Sequence, residues 1–225
     1  MPPTKDAVTV LTEDHERVKD LFTRYESLGK RAYKSKQALV ERISEELSVH
    51  AAIEEEVLYP RLRTLLPDEE DDVLEALEEH HLVKTTLLEL ESLSAESERF
   101  HPKVTVLIEQ VRHHIDEEEG EMFPHLREAV DREELVRIGA ALEEARETAP
   151  TRPHPHAPDT PPGNIVANAL AGPLDVVAGA GKWLFRHARE APDACRRSAQ
   201  LAQLGWESGR REVGERMRSG GRRKG

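Results

Sequence analysis

Two stretches of the chain decide its fold: residues 50–60 read HAAIEEEVLYP, and residues 114–124 read HIDEEEGEMFP. Each stretch has a histidine, a glutamate four residues later and an aromatic residue followed by proline at its end. The second stretch lies 64 residues after the first, and an offset of 65 places His15 on His80. The chain therefore contains a two-fold internal repeat, in which its first and second segments match its third and fourth.

The four repeated segments have the pattern of helices, because their apolar residues recur at steps of three and four. Breaks fall at residues 29–35, 67–68 and 101–102, where glycine, serine or proline interrupts the pattern. Short connections make successive helices antiparallel, so we expect an all-α, up-down-up-down four-helix bundle. Asp131 has the character of an N-cap for a short fifth helix that ends near Glu147.

Composition divides the chain into three parts. We predict a bundle at residues 1–149, a proline-rich linker at 150–163 and a basic, helical or partly disordered tail at 164–225. The net charge is −12 over 225 residues. Residues 150–225 hold 13 Lys and Arg against 7 Asp and Glu, a net charge of +6, which leaves −18 for residues 1–149. So acidic a bundle is not expected to bind nucleic acid, since phosphate contacts need a basic surface.

Cysteine usage and hydropathy exclude several classes of protein. Cys195 is the only cysteine, so a disulfide framework and a cysteine-type zinc site are both excluded. The longest uncharged run, residues 160–174, is too short and too rich in proline to span a bilayer. No apolar stretch near residue 1 has the length of a signal peptide. The expected compartment is therefore the cytoplasm.

The repeated polar residues lie within the apolar stripes of their helices, so they are expected to face the bundle axis. A histidine and a glutamate four residues apart share one helical face, which lets His50 with Glu54 meet His114 with Glu118. Buried charges are normally paired or bind a metal. Imidazole and carboxylate ligands suit iron, manganese or zinc, and two carboxylates able to bridge favour a dinuclear site. The predicted ligands are His15, His50, Glu54, His80, His114 and Glu118.

In order and spacing, these ligands resemble those of the hemerythrin-like proteins with an HHE cation-binding domain, over about residues 5–130. The resemblance implies a non-haem di-iron centre, bridged by the two glutamates and capped by the histidines, with manganese and zinc as alternative metals. It also implies that a small diatomic or peroxide ligand meets the open iron positions. Oxygen carriers of the family have a further histidine where this chain has Lys84. That difference argues against reversible oxygen carriage and predicts irreversible oxidation by dioxygen.

Neighbouring histidines offer alternatives to the predicted ligands. His81 lies on a stripe with three leucines, but the repeat favours His80. His113 lies one step off the inward face, and His101 and His125 are expected to be exposed. The acidic runs around Glu54 and Glu118 are typical of solvated helix faces, although a member of these runs could support a ligand imidazole. A ferritin-like site needs Glu-x-x-His on two helices, and the second helix has none.

Two functions remain open from the sequence. The first is a binding or sensing module for oxygen, reactive oxygen or nitrogen species, or iron, with the tail contacting an anionic surface or a partner protein. The second is a di-iron redox enzyme that decomposes peroxide or reduces a small oxidant. Redox turnover requires a proton donor beside the centre, and Lys84 and Tyr59 are the candidates.

Overall fold

The computed structural model describes residues 5–161 and residues 163, 164, 167, 168 and 171. Every regular element within them is helical, so the predicted all-α fold is confirmed. The predicted tail at residues 164–225 lies almost entirely outside the described residues. The elements are α1 (Ala7–Ser27), α2 (Tyr33–Ile53), a first π turn (Glu54–Leu58), α3 (Tyr59–Leu65), a 3₁₀ turn (Pro67–Glu69), α4 (Glu70–Ser92), α5 (Phe100–Glu117), a second π turn (Glu118–Met122), α6 (Phe123–Ala129) and α7 (Arg132–Arg146).

The distribution of buried apolar residues shows how the helices alternate in direction. The core forms two clusters, one around Leu11 and Tyr59 and the other around Phe22 and Phe100. Along α1 and α4 the chain passes from the first cluster to the second. Along α2–α3 and α5–α6 it passes from the second to the first. Each long helix therefore runs opposite to the one before it, which is the predicted up-down-up-down bundle.

The predicted fifth helix is α7, and it packs against α1, α2 and the first π turn. The Asp131 carboxylate caps it by accepting a hydrogen bond from the Glu134 backbone N–H at 2.8 Å, as the sequence predicts. Gly139 allows α7 to approach the start of α1 closely. A Cβ atom at Gly139 would lie 2.3 Å from the backbone oxygen of Lys5. None of the described helices has the length and apolar character needed to cross a membrane.

The chain continues along the bundle after α7. Pro150, Pro153 and Pro155 are buried, and the Arg152 guanidinium forms an ion pair with Glu91 on α4 at 2.7 Å. Further on, the Asn164 side-chain amide donates to the Glu55 backbone oxygen at 2.9 Å. The start of the predicted linker and the start of the predicted tail therefore both contact the bundle. The boundaries at 149 and 163 themselves stay predictions.

Candidate metal centre

The structure brings all six predicted ligands together between the two apolar clusters. None of the six residues is more than 6% exposed. Their ligand atoms form two groups that share Glu54, and within each group the atoms lie within 4.8 Å of one another. The first group is His15, His50, Glu54 and Glu118, and the second is Glu54, His80 and His114.

The Nε2 atoms of the four imidazoles face one another in two pairs. Nε2 of His15 lies 3.2 Å from Nε2 of His50, and Nε2 of His80 lies 3.2 Å from Nε2 of His114. Glu54 Oε2 lies 3.2 Å from the His50 Nε2 atom and 3.4 Å from the His80 Nε2 atom. Glu54 therefore reaches both imidazole pairs, as a bridging ligand requires.

Glu118 occupies the equivalent position on the other side. Its Oε2 lies 3.2 Å from His15 Nε2, and its Oε1 lies 3.6 Å from His114 Nε2. Each carboxylate thus lies between an imidazole of the first repeat and an imidazole of the second. The two groups of ligand atoms therefore form one polar layer.

Two π turns place these glutamates. Proline has no N–H and clashes with the carbonyl of the residue four positions earlier, so Pro60 and Pro124 cannot continue a regular α-helix. The helices widen instead. Tyr59 N–H bonds to Glu54 O, and Phe123 N–H bonds to Glu118 O, each five residues back. Each π turn begins at the ligand glutamate itself. Wide turns of this kind are frequent at functional sites.

Asn164 completes the first π turn. Pro60 cannot donate a hydrogen bond to the Glu55 backbone oxygen, and the Asn164 side-chain amide supplies one. Buried carbonyl groups need such partners, because leaving one unsatisfied costs about 1–3 kcal/mol. A residue of the predicted tail therefore supports the backbone next to a predicted ligand.

Each imidazole has a carboxylate on its outer nitrogen. His80 Nδ1 lies 3.0 Å from Glu55, and His114 Nδ1 lies 2.7 Å from Glu79. A carboxylate can only accept, so each Nδ1 carries the hydrogen and each Nε2 presents its lone pair to the centre. The same arrangement pairs His15 with Glu119 at 2.8 Å and His50 with Asp14 at 3.4 Å.

Lysine and arginine side chains form ion pairs with three of these four carboxylates. Lys84 Nζ contacts both Glu55 oxygens, at 2.5 and 2.6 Å, and Lys19 Nζ lies 3.0 Å from Glu119. Lys19 and Lys84 are repeat partners, and each forms a lysine–carboxylate–histidine chain whose carboxylate comes from the other half of the repeat. Asp14 is bound by two arginines, Arg17 on α1 and Arg146 on α7.

The buried carboxylates test whether a cation fits the centre. Among the described residues, Glu54 Oε1, Glu54 Oε2 and Glu118 Oε2 make no hydrogen bond, although both side chains are fully buried. Burial, together with repulsion from Glu118, raises the pKa of Glu54 well above its usual value. Burial opposes the charge of Glu118 as well, but the imidazoles of His114 and His15 outweigh it and lower the pKa of Glu118.

The protonation state of two imidazoles, those of His50 and His80, also suits ligation. Burial lowers the pKa of His50 to about 4, and burial lowers the pKa of His80 against the opposing effect of Glu55. At pH 7 both rings are therefore neutral, which is the form that binds a metal. The pKa of His114 is raised, because Glu118 and Glu79 outweigh its burial. Neutral imidazoles and orphaned carboxylate oxygens are the donor set that a divalent cation satisfies.

Comparison with known proteins agrees with this geometry. Residues 6–126, more than half of the chain, match the family model of the hemerythrin HHE cation-binding domain. The chain belongs to the hemerythrin HHE cation-binding family. The matched range contains all six predicted ligands and ends within α6.

Relatives of this hemerythrin-like chain include proteins of several kinds. An uncharacterized hemerythrin-like protein of Schizosaccharomyces pombe is 36% identical over 131 residues, which are 58% of this chain and 64% of that protein. A DNA nickase of Nostoc sp. is 28% identical over 137 residues, 61% of this chain and 38% of the nickase. The chain thus spans less than two thirds of each of these relatives. The crystal structure of an HHE cation-binding domain-containing protein from Mycobacterium kansasii has a TM-score of 0.54 and 25% identity, covering 64% of this chain and 88% of the other.

The two halves of the hemerythrin-like centre differ at the aromatic residue that precedes each proline. The Tyr59 hydroxyl donates to Glu118 Oε1 at 3.0 Å and lies 3.3 Å from His80 Nε2. Its repeat partner is Phe123, whose ring stacks on His15 with the ring centroids 5.7 Å apart. One side of the centre therefore carries a hydroxyl, whereas the other carries only an apolar ring.

The structure settles which neighbouring histidine faces inward. His80 is 3% exposed and faces His114, whereas His81 is exposed, as are His101, His113 and His125. Of the two candidate proton donors, Tyr59 contacts the ligands, and the Lys84 ammonium contacts Glu55 behind His80. Sequence reasoning treated the acidic runs mainly as solvated, yet Glu55 is 4% exposed and both Glu55 and Glu119 hold ligand imidazoles.

Asp14 and Glu79 were not identified as partners of the ligands from the sequence. The signal that could have found them is the repeat itself, because the offset of 65 that places His15 on His80 also places Asp14 on Glu79. Each of these acids directly precedes the histidine of its helix and contacts the imidazole of the following helix.

Proposed function

We propose that the six inward side chains hold two iron ions and that the resulting centre binds a small oxidant. The observation that carries this proposal is the pair of ligand groups sharing Glu54, together with three buried carboxylate oxygens that have no hydrogen-bond partner among the described residues. One cation would satisfy the first group, and a second cation would satisfy the second group.

Iron is the metal that the resemblance to hemerythrin-like proteins implies, with manganese and zinc as the alternatives. Imidazole and carboxylate ligands suit all three metals, and the six ligands exceed what one tetrahedral zinc uses. When bound, two iron ions would supply redox chemistry and a coordination position for a small ligand. The chain itself contributes the fixed Nε2 lone pairs, the two bridging carboxylates and a buried environment.

The space beside the imidazoles limits the size of that ligand. A cavity of about 20 Å³ lies against the four histidines, and its remaining walls are apolar. One water occupies about 10–15 Å³ measured in this way, so the cavity accepts a ligand of about two heavy atoms. Dioxygen, nitric oxide and hydrogen peroxide meet this limit, and larger organic substrates do not. The apolar residues are Val18, Leu47, Ala51, Val83, Val111 and Ile115.

Tyr59 favours a second candidate function, a redox enzyme that decomposes peroxide or reduces a small oxidant. Its hydroxyl hydrogen lies on a bond to Glu118 Oε1, within the ligand layer. Burial and the carboxylates of Glu118 and Glu54 raise the pKa of Tyr59 well above its ordinary value, so the proton stays on the oxygen until chemistry demands it. Turnover of peroxide that falls at least tenfold in Tyr59→Phe would support the enzyme, and unchanged turnover would support binding or sensing alone.

The setting of this function in the cell is part of the proposal. We place the protein in the cytoplasm, with no nucleic acid on the acidic bundle and with the basic tail on an anionic surface or a partner protein. The charge of −18 over residues 1–149 and +6 over residues 150–225 supports this division of roles.

Metal analysis of two variants tests the metal centre. Adjacent histidines on α4 provide a matched pair, because His80 is buried among the ligands and His81 is exposed. Protein loaded anaerobically with Fe(II) and then desalted is expected to hold two irons per chain. We expect His81→Ala to keep that ratio and His80→Ala to fall to one or fewer. One metal per chain in the wild type, or equal loss in both variants, would overturn the dinuclear assignment.

A further inference from the structure

An acidic opening leads from the surface of the bundle to the centre. A cavity of about 50 Å³, room for about four waters, lies between α4 and the second π turn. Two of the predicted ligands, Glu118 and His114, line it, and Glu118 is fully buried. We call it the acidic opening, and its carboxylates are those of Glu69, Asp72, Glu75, Glu79, Glu117, Glu118 and Glu121.

The internal repeat shows that this opening is a departure from symmetry. The equivalent face of the other half is apolar, and its residues belong to or pack against the cluster that contains the buried face of α7. There Arg146 of α7 also bonds to Asp14, the repeat partner of Glu79. One side of the centre is therefore closed by a helix, and the other is open. The counterparts of Asp72, Glu75, Glu117 and Glu121 are Ala7, Val10, Ile53 and Val57.

The carboxylates of the opening lack lysine and arginine partners among the described residues, although histidines contact Glu69, Glu79, Glu117 and Glu118. Within the part of the chain that the structure describes, no lysine or arginine forms an ion pair with any of the seven. Elsewhere on the bundle surface many acids do pair with lysine or arginine, as Glu26 does with Arg112 at 2.8 Å. Like charges gathered without counter-charges repel one another, so the arrangement lowers stability unless a cation is attracted to it.

Three neighbouring residues could hold such a cation, and two of them, Glu79 and Glu117, line the opening. Glu79, His113 and Glu117 each offer a ligand atom, and these atoms lie within 4.8 Å of one another. Glu79 also contacts His114 Nδ1 at 2.7 Å, which joins this group directly to a predicted ligand. At the other end, Glu118 Oε2 is buried and makes no hydrogen bond among the described residues.

We propose that the acidic opening is the route by which divalent cations reach the centre, with Glu79, His113 and Glu117 as their first binding place. This inference rests on the proposed metal centre. A cleft lined by one sign of charge raises the local cation concentration and increases association rates by about 10- to 1,000-fold. Glu79 then connects the surface group with the ligand layer, and the closed side under α7 provides no such path.

The kinetics of metal uptake test the proposal. Metal-free protein is mixed with Co(II), which reports ligation through its visible absorbance, and the rate and the final number of cobalt ions per chain are both recorded. The test variant is Asp72→Asn/Glu75→Gln/Glu121→Gln, which changes three carboxylates of the opening that contact no predicted ligand. The control is Glu98→Gln/Glu109→Gln/Glu144→Gln, which removes the same charge at exposed positions elsewhere.

We expect uptake to slow at least tenfold in the test variant at low salt, with the control close to the wild type and the final cobalt number unchanged in all three. The difference should shrink in 0.5 M NaCl, because salt screens the field of the opening. Equal slowing in both variants would overturn the proposal, since net charge alone would then explain it. A lower final cobalt number in the test variant alone would also overturn it, whereas a wild type that binds no cobalt would refute the metal centre itself.

Discussion

Glu54→Gln should change stability in opposite directions with and without metal. In the metal-free protein, Glu54 is fully buried, lacks a hydrogen bond among the described residues and lies beside the charge of Glu118. An amide of the same shape removes the repulsion and can donate to a Glu118 oxygen. The metal-free variant is therefore expected to be more stable than the wild type. The metal-loaded variant is expected to be less stable, because it loses the ligand shared by both groups.

The expected sizes follow from the structure. An unsatisfied buried polar group costs about 1–3 kcal/mol, so the metal-free variant should gain about 2 kcal/mol. For a domain of this size that gain corresponds to a rise of about 4–8 °C in Tm. A cation at 100 times its Kd stabilises the wild type by about 2.7 kcal/mol per site, and the variant should lose that contribution at one site or both.

The assay is urea unfolding followed by circular dichroism, once with a chelator and once with anaerobic Fe(II). Glu109→Gln is the control, since it makes the same chemical change at an exposed position on α5. It should move neither midpoint measurably. If Glu54→Gln destabilises the metal-free protein, the Glu54 carboxylate is already satisfied without a cation. Its burial would then be no evidence for a metal centre.

Three further perturbations have defined outcomes. The metal-free protein should lose stability as pH falls from 6.5 towards 4, because the unfolded chain protonates His50 while burial lowers the pKa of His50 in the folded protein to about 4. At about 1.4 kcal/mol per pKa unit, the free energy of unfolding measured in urea should fall by up to about 3 kcal/mol more than that of a His50→Gln variant. The same pH dependence in both proteins would contradict this prediction. Gly139→Ala should destabilise the protein by about 1–3 kcal/mol, because the new Cβ would meet the Lys5 backbone oxygen. Gly120→Ala is the control: a Cβ at Gly120 would have no atom within 4 Å, so this variant should be neutral or stabilising in the same unfolding assay. Lys84→Met should weaken metal affinity about 10- to 100-fold, because Glu55 would no longer be held against His80. Competition with a chromogenic chelator measures the affinity, and an unchanged value would show that the lysine does not support the ligand.

Much of the fold could be predicted from the sequence because the signal is repeated. Apolar residues at helical spacing, the breaks at residues 29–35 and 67–68, and the N-cap at Asp131 all depend on local interactions that the fold keeps. The break predicted at residues 101–102 is wrong: the helices are interrupted at residues 93–99, and Pro102 lies in the first turn of α5, where its missing N–H leaves no helical hydrogen bond unmade. The position of His80 rather than His81 on the inward face followed from the same repeat, and the structure places His80 there. These features depend on neighbours within one turn or on one internal comparison.

The supporting shell of the centre could not be predicted in the same way. The contacts of His50 with Asp14 and of His80 with Glu55 join residues on different helices, so they depend on how the helices rotate against each other. Acidic runs on exposed faces and acidic residues beneath a helix look alike in sequence. The π turns were also missed, although Pro60 and Pro124 mark them, because a proline in a helical pattern usually indicates a kink or an end.

The position of the polar layer between two apolar clusters has a consequence for the motions of the bundle. Every long helix crosses from one cluster to the other through a ligand residue, so the two hydrophobic halves meet only across the layer of imidazoles and carboxylates. A bound cation would therefore connect the two apolar clusters across this layer. Without it, backbone amides beside the layer should exchange hydrogen faster than those within either cluster, and the two halves should open separately.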